Sequence, residues 1–173
     1  MRKLRNSELK RLSIQEFKEA DKLPIRVVLD DVRSHHNVGS IFRTCDAFRI
    51  KELVLGGITP CPPHSEIEKT ALGATESMVW IEATDLVTYL AQNPFGKLIA
   101  LEHTSKSTIL GKGLPMVGPV TLVFGNEVKG VSDEVLALCD ELVEIPQFGT
   151  KHSFNVSVSA GIALWEVARN YIK

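Results

Sequence analysis

SFNVSVSAG, residues 153–161, admits three readings, and the choice decides how the fold closes. Asn155-Val156-Ser157 fits the N-glycosylation pattern. Val156 and Val158 alternate with Ser157 and Ser159, as in a half-buried strand. The segment also runs into IALWEVARNYI, where apolar residues continue at helical spacing. Val156, Ala160, Ala163, Leu164, Val167, Ala168 and Tyr171 form one stripe, and Val158, Ile162, Trp165 and Ile172 a second. A strand would end after two alternations, whereas this period persists to the C-terminus, so a helix is predicted. Being apolar on two sides, it is expected to be well buried. Ser157 and Gly161, one turn apart, would permit close backbone approach. Ser153 and Asn155 then stand at a helix N-terminus, where free N–H groups and side-chain amides can hold a ligand.

Upstream, apolar β-branched runs alternate with helical patterns. IRVVLDDV (25–32), KELVLGG (51–57), VWIEA (79–83), KLIALEH (97–103), VTLVFGN (120–126) and ELVEIPQ (141–147) read as strands. VGSIFRTCDAF (38–48), EIEKTAL (66–72), DLVTYLAQN (85–93) and SDEVLALC (132–139) read as helices, and STILGKGLPMVGP as a loop. The fold class is therefore α/β, a mostly parallel sheet with helices on both faces. Ligands of such sheets bind beyond the carboxyl ends of the strands. The loops after Val32, Gly57, His103, Asn126 and Gln147 are the places to look.

The 173 residues suggest one domain, and 44% hydrophobic with 24% charged residues is ordinary globular composition. No apolar run is long enough to span a membrane, and the basic start MRKLRNSELKRL lacks the apolar stretch of a secretory signal. Cys45, Cys61 and Cys139 are odd in number and widely spaced, which fits neither a disulfide framework nor a zinc site. No metal is expected, a reducing cytoplasm is implied, and the glycan reading of Asn155 falls. The net charge of −1 leaves a nucleic-acid partner to local patches. Arg2, Lys3, Arg5, Lys10 and Arg11, against Glu8 alone, make one such patch or else a solvated tail. Ser13-Ile-Gln-Glu16 has capping-box form and starts a short helix toward Lys22.

Three strand-end loops carry unusual polar residues. In HHNVGSIFRTCDAF (35–48), Asn37 reads as a helix cap. Arg43 sits in an otherwise small or apolar helix, either paired with an acid or working on a phosphate. His35 and His36 lack metal-ligand spacing. In FGNEVKGVSDEVL (124–136), Gly125 to Ser132 nearly matches a phosphate-binding loop, but Val131 stands where the lysine belongs. Glu127 would repel a triphosphate and suits a cationic or hydroxyl-bearing ligand. In EIPQFGTKHSFNVSVSAGIALWEVAR (144–169), Lys151 and His152 either meet an anion or are solvated.

Taken together and in this order, the stretches NVGSIFRTCDAF, LVFGNEVKGVSDEVL and IPQFGTKHSFNVSVSAGIAL resemble the SPOUT class of RNA methyltransferases, in its SpoU (TrmH-like) branch. KTALGATESMVW also looks like that family, and the resemblance covers roughly residues 25 to 172. It implies transfer of a methyl group from S-adenosyl-L-methionine to a ribose 2′-hydroxyl in RNA, tRNA first and rRNA next. It also implies a homodimer with a shared active site and a C-terminal trefoil knot over about 119–173. General chain-topology rules argue against a knot, so this expectation comes from the resemblance alone.

By resemblance, Arg43 contacts the nucleotide phosphate and assists loss of the hydroxyl proton. A guanidinium stays protonated in water, so orientation and charge stabilisation are the alternative to a true base. Asn37 would position Arg43 or the ribose, with Glu127, Asn155 and Ser157 beside it. The cofactor would meet mainly backbone groups at Leu101, Gly125, Ile145, Pro146 and Ser153, together with Asn155. Phe154 replaces a smaller aliphatic residue common in the family. RNA would be held by Arg2, Lys3, Arg5, Lys10, Arg11, Arg43 and Lys151. The expected organisation is a basic extension, 1–24, and a methyltransferase domain, 25–173. The alternatives are an inactive RNA- or cofactor-binding module of the same fold and, more remotely, a nucleotide hydrolase built on Gly125–Ser132.

Overall fold

The computed structural model describes residues 1–5, 8–112 and 118–171. Seven strands form one sheet in the order β3-β2-β1-β6-β4-β7-β5, and every pairing is parallel. The strands are β1 (Leu23–Asp30), β2 (Ile50–Gly56), β3 (Trp80–Ala83), β4 (Lys97–Leu101), β5 (Thr108–Ile109), β6 (Val120–Phe124) and β7 (Glu141–Glu144). Alternate residues of β1 divide the core, as strands covered on both faces require. Ile25, Val27 and Leu29 face α2 (His35–Ala47), α3 (Ser65–Ala71), α4 (Ala74–Ser77) and α7 (Val156–Ala168), while Val28 faces α5 (Leu86–Gln92) and α6 (Asp133–Leu136). The α/β parallel class expected from the run pattern is the one observed.

The N-terminal helix α1 (Ile14–Glu19) starts at the expected box: Ser13 Oγ accepts from Glu16 N and the Glu16 carboxylate accepts from Ser13 N. It stops at Glu19 rather than Lys22, and Phe17 anchors it in the core. Other boundaries move. Strand β7 ends at Glu144, not Gln147, and helix α6 is one turn instead of two. The stretch read as a loop contains β5, which pairs with β7 at the sheet edge. A two-residue strand carries no periodicity to detect.

Helix α7 corrects one expectation. Its first stripe is buried, with Ala160, Ala163, Leu164, Val167 and Ala168 fully enclosed. Of the second, Val158 is 48%, Ile162 36% and Trp165 53% exposed, and Ile172 lies outside the described residues. Gly161 makes no close approach either, since a Cβ there would meet nothing within 4 Å. A helical wheel reports which residues shun water, not whether the same chain covers them. Just beyond α7, the Tyr171 hydroxyl donates to Gly118 O (2.8 Å) and accepts from Gly118 N (3.0 Å).

Candidate active site

The strand ends place the site where the parallel-sheet rule puts it. An open cavity of about 530 Å³ lies beyond the carboxyl ends of β4, β6 and β7. Its walls include Leu101 at the end of β4 and Glu102 after it, Gly125 to Gly130 after β6, and Ile145 and Gln147 after β7. His152 to Val156, entering α7, close the rim. Of the expected cofactor residues, Leu101, Gly125, Ile145, Ser153 and Asn155 line it; Pro146 does not.

The loop after β6 folds on itself. Asn126 N donates to Gly130 O and Gly130 N to Asn126 O, both at 2.9 Å. Asn126 Oδ1 accepts from the N–H groups of Val128 and Lys129. Val131 N donates to Glu102 Oε2 (2.9 Å), and Ser132 N to Asp30 Oδ2 (2.7 Å). The N–H groups a phosphate would need are thus held by the protein's own acceptors, and the resemblance to a nucleotide-hydrolase loop ends there. Gly125 is required by packing: a Cβ would overlap the backbone of Gly130 and Val131.

Glu127 points from this loop to the start of α2. Its carboxylate accepts from Arg33 N, Ser34 N and Asn37 Nδ2, all at 3.0 Å. Burial by itself would raise its pKa. The N–H groups of Arg33, Glu127 itself and Ser34, with the Asn37 amide, outweigh it and hold the carboxyl below the ordinary range. Asn37 Oδ1 accepts from Asn155 Nδ2 (3.0 Å), and Asn155 Oδ1 accepts from Ser157 N (2.9 Å) and Ser157 Oγ (2.6 Å). One chain of hydrogen bonds therefore joins Glu127, Asn37, Asn155 and Ser157, residues from three separate motifs. Asn155 caps α7, as expected, but Ser34, not Asn37, caps α2. Asn37 sits three residues inside the helix, where its amide is free to bridge Glu127 and Asn155.

Arg43 is not in this group. It is exposed, two turns farther along α2, and pairs with no carboxylate among the described residues. Instead it lines a second groove with Lys10, Arg11 and Arg49. Arg2 is engaged by Glu8 (2.7 Å), while Lys3, Arg5 and Lys151 are exposed. His36 pairs with Glu66, and His35 stacks on His64 at 3.9 Å between ring centroids.

Three residues escaped the sequence reading. Glu102 accepts from Val131 N and His103 N and braces the Gly125–Gly130 loop. Glu144 meets His103 Nδ1 at 2.6 Å on the cavity wall. Ser159 lines the cavity one turn into α7. The strand-end rule named the loop after His103 and could have found Glu102, one residue beyond β4.

The profile of the SpoU rRNA Methylase family matches residues 24–165. The chain is 32% identical over 151 residues to a 23S rRNA (guanosine-2′-O-)-methyltransferase, RlmB, of Neisseria meningitidis, covering 86% of this chain and 60% of that protein. It is 33% identical over 175 residues to the tRNA (guanosine(18)-2′-O)-methyltransferase of Aquifex aeolicus, covering 93% and 75%. Among solved structures, an AdoMet-bound rRNA methyltransferase from Sinorhizobium meliloti superposes with a TM-score of 0.79 at 27% identity, over 91% of this chain and 60% of the other. The A. aeolicus TrmH/SpoU tRNA modifying enzyme also gives 0.79, at 28% identity, over 90% and 81%. This chain thus spans about three-fifths of the RlmB relative it matches. With the parallel sheet, the cavity and the three joined motifs inside the matched span, the chain belongs to the SpoU methylase family.

Proposed function

We propose that this chain is an S-adenosyl-L-methionine-dependent RNA 2′-O-ribose methyltransferase, acting on tRNA first and rRNA next as a cytoplasmic homodimer. The observation that carries the reading is the Glu127–Asn37–Asn155–Ser157 chain at the mouth of the strand-end cavity. The lining suits the cofactor. Leu101, Ile145 and Val156 line the cavity with apolar side chains over the buried Phe124 and Val143, and Leu101, Gly125 and Ile145 offer backbone groups. Glu102 and Glu144 favour a cationic ligand.

Bound there, the cofactor supplies a methyl group already activated by its sulfonium. The residues have the remaining task, to orient a 2′-hydroxyl and let its proton leave. Asn37 and Asn155, locked by Glu127, present fixed amide dipoles at the site. Glu127 acts as a clamp rather than a proton acceptor, because three donors already occupy its carboxylate. Arg43 would serve the cofactor of a second chain, holding the phosphate of the reacting nucleotide. The exposed stripe Val158, Ile162 and Trp165 supports that dimer, being apolar surface that one chain leaves uncovered.

The proposed organisation is a basic extension over 1–24 and a catalytic domain over 25–173, with a trefoil knot within about 119–173. The support for the knot is strand order. Strand β7 lies between β4 and β5, inside the path that runs from β4 out to β5 and back to β6. Residues 113–117 of that path lie outside the described residues. The test is to titrate S-adenosyl-L-methionine by calorimetry and map 2′-O-methyl marks across total RNA with and without the gene. Binding together with loss of one mark is expected. Unchanged RNA marks, with or without binding, would overturn the reading.

A further inference from the structure

The second groove, about 570 Å³, is separate from the cofactor cavity. Residues 10–14 and Phe17 form one wall, Arg43 to Arg49 of the α2 end another, and the α3–α4 corner, Ala71 to Ala74, the third. Four cations, Lys10, Arg11, Arg43 and Arg49, surround it against one carboxylate, Asp46. In a chain of net charge −1 such a concentration is a local construction. Asp46 Oδ2 accepts from Ser77 Oγ (2.5 Å) and forms no ion pair with the arginines among the described residues, so three of the four positive charges remain in excess over it.

Apolar side chains stand beside the cations. Leu12 is 47%, Ile14 44% and Leu72 66% exposed, an arrangement that water alone does not favour. A second observation marks the same place. Among the described residues, four that are not glycine have left-handed backbone, and three of them, Lys10 (φ 46°), Arg49 (φ 48°) and Leu72 (φ 51°), line this groove. That backbone is strained for a residue with a side chain, and such residues cluster at ligand clamps. Arg49 is held in this conformation by its N–H donating to Asp46 O (2.9 Å) and its carbonyl accepting from Leu23 N (2.8 Å). Gly73 follows Leu72 with φ 88°, so the whole corner is turned to present Leu72 outward.

Fixed cations next to exposed aliphatic side chains match a nucleotide, an anionic phosphate joined to a flat apolar base. We propose that this groove is a subsite for the substrate RNA, taking the phosphate and base of a nucleotide that flanks the methylated one. The proposal rests on the methyltransferase reading, since Arg43 belongs both to this groove and to the reacting site. The phosphate lies on Arg11 and Arg49, and the base lies against Leu12 and Leu72. Tracking of a single-stranded backbone by a cationic groove is a general mode for RNA, and Arg11 and Arg49 also have planar guanidinium groups on which a base can stack.

The test uses the full chain, a fluorescent single-stranded RNA oligonucleotide, and total RNA from cells lacking the gene. Arg49→Asn keeps a residue that tolerates left-handed backbone, and Arg11→Gln changes an exposed side chain, so both leave the fold intact. Together they should weaken oligonucleotide binding about tenfold and reduce the salt slope by about 0.7 for each phosphate no longer neutralised. Leu72→Asn should weaken binding with the slope unchanged. In transfer assays all three should raise KM for RNA and leave kcat and cofactor affinity as they were. Wild-type affinity and slope in the arginine variants would overturn the proposal, as would a fall in kcat at unchanged KM. Absence of transfer by the wild-type protein would refute the methyltransferase reading, while the oligonucleotide slope would still report on the groove.

Discussion

Asn37→Asp removes one proton donor and adds one negative charge at the centre of the site, without changing shape. Asn37 Nδ2 donates to Glu127 Oε1 at 3.0 Å. In the variant two carboxylates face each other across that gap. Two unit charges 4 Å apart repel by about 4 kcal/mol at an effective dielectric of ~20. Glu127 is partly solvated, so screening leaves about 1–2 kcal/mol. Loss of a hydrogen bond to a charged acceptor adds ~1.5 kcal/mol. The sum is about 3 kcal/mol, or roughly a hundredfold in rate if it falls wholly on the transition state. The two carboxyls would share a proton, which raises the pKa of one of them. Transfer by the variant should therefore be about a hundredfold down at pH 8 and recover in part toward pH 6. Asn37→Ala loses the bridge without the repulsion and should show no such recovery. The assay is single-turnover methyl transfer across this pH range with cofactor saturating. An Asn37→Asp rate within about threefold of wild type at pH 8, or a wild-type pH profile, would refute the clamp.

The acid sensitivity of the native clamp follows from the direction of the Glu127 shift. Its pKa is depressed in the fold, so its contribution to stability is complete above about pH 4.3, the unfolded value, and is lost as pH falls through the folded value. Glu127→Gln should flatten that part of the stability profile in acid denaturation, and an unchanged acid limb would contradict it. Gly39→Ala would drive a Cβ into Thr70 Oγ1 and Ile67 O, prising α2 from α3. Overpacking of this kind costs about 1–3 kcal/mol, and Tm by calorimetry should drop by roughly 3–10 °C. Trp165→Asp places a charge in the exposed stripe of α7 and should shift sedimentation from dimer to monomer, with transfer lost and cofactor binding altered little. An active monomer would sink the shared-site reading.

The parallel sheet was legible because β1, β2 and β6 each carry an apolar run buried on both faces, Val27 to Leu29, Leu53 to Leu55 and Leu122 to Phe124. The strand-end loops drew attention through Glu127, a carboxylate in a loop shaped like a phosphate cradle, whereas Asn37 and Asn155 also read as helix caps and were grouped with it by the family resemblance. Their joining was not legible, because the hydrogen bonds span 90 and 118 residues. Ser34 and Asn37 are both good capping types, and spacing could not choose between them. The Val158 stripe has the pattern of core because periodicity cannot tell whether the chain covers its own apolar face. The groove at Arg49 and Leu72 was hidden for a further reason: left-handed backbone at an arginine or a leucine has no sequence signature.

The proposed methyl transfer to a ribose needs Arg43. The direct measurement is incubation of the protein with methyl-labelled S-adenosyl-L-methionine and RNA lacking the mark, followed by digestion to nucleosides and mass spectrometry. Label on a 2′-O-methylated ribose is predicted for the wild-type chain. None is predicted for Arg43→Ala, which should still bind the cofactor. Activity should return when Arg43→Ala is mixed with a variant altered at Asn155. Label on a base, no label at all, or full transfer by Arg43→Ala would contradict ribose methylation through Arg43.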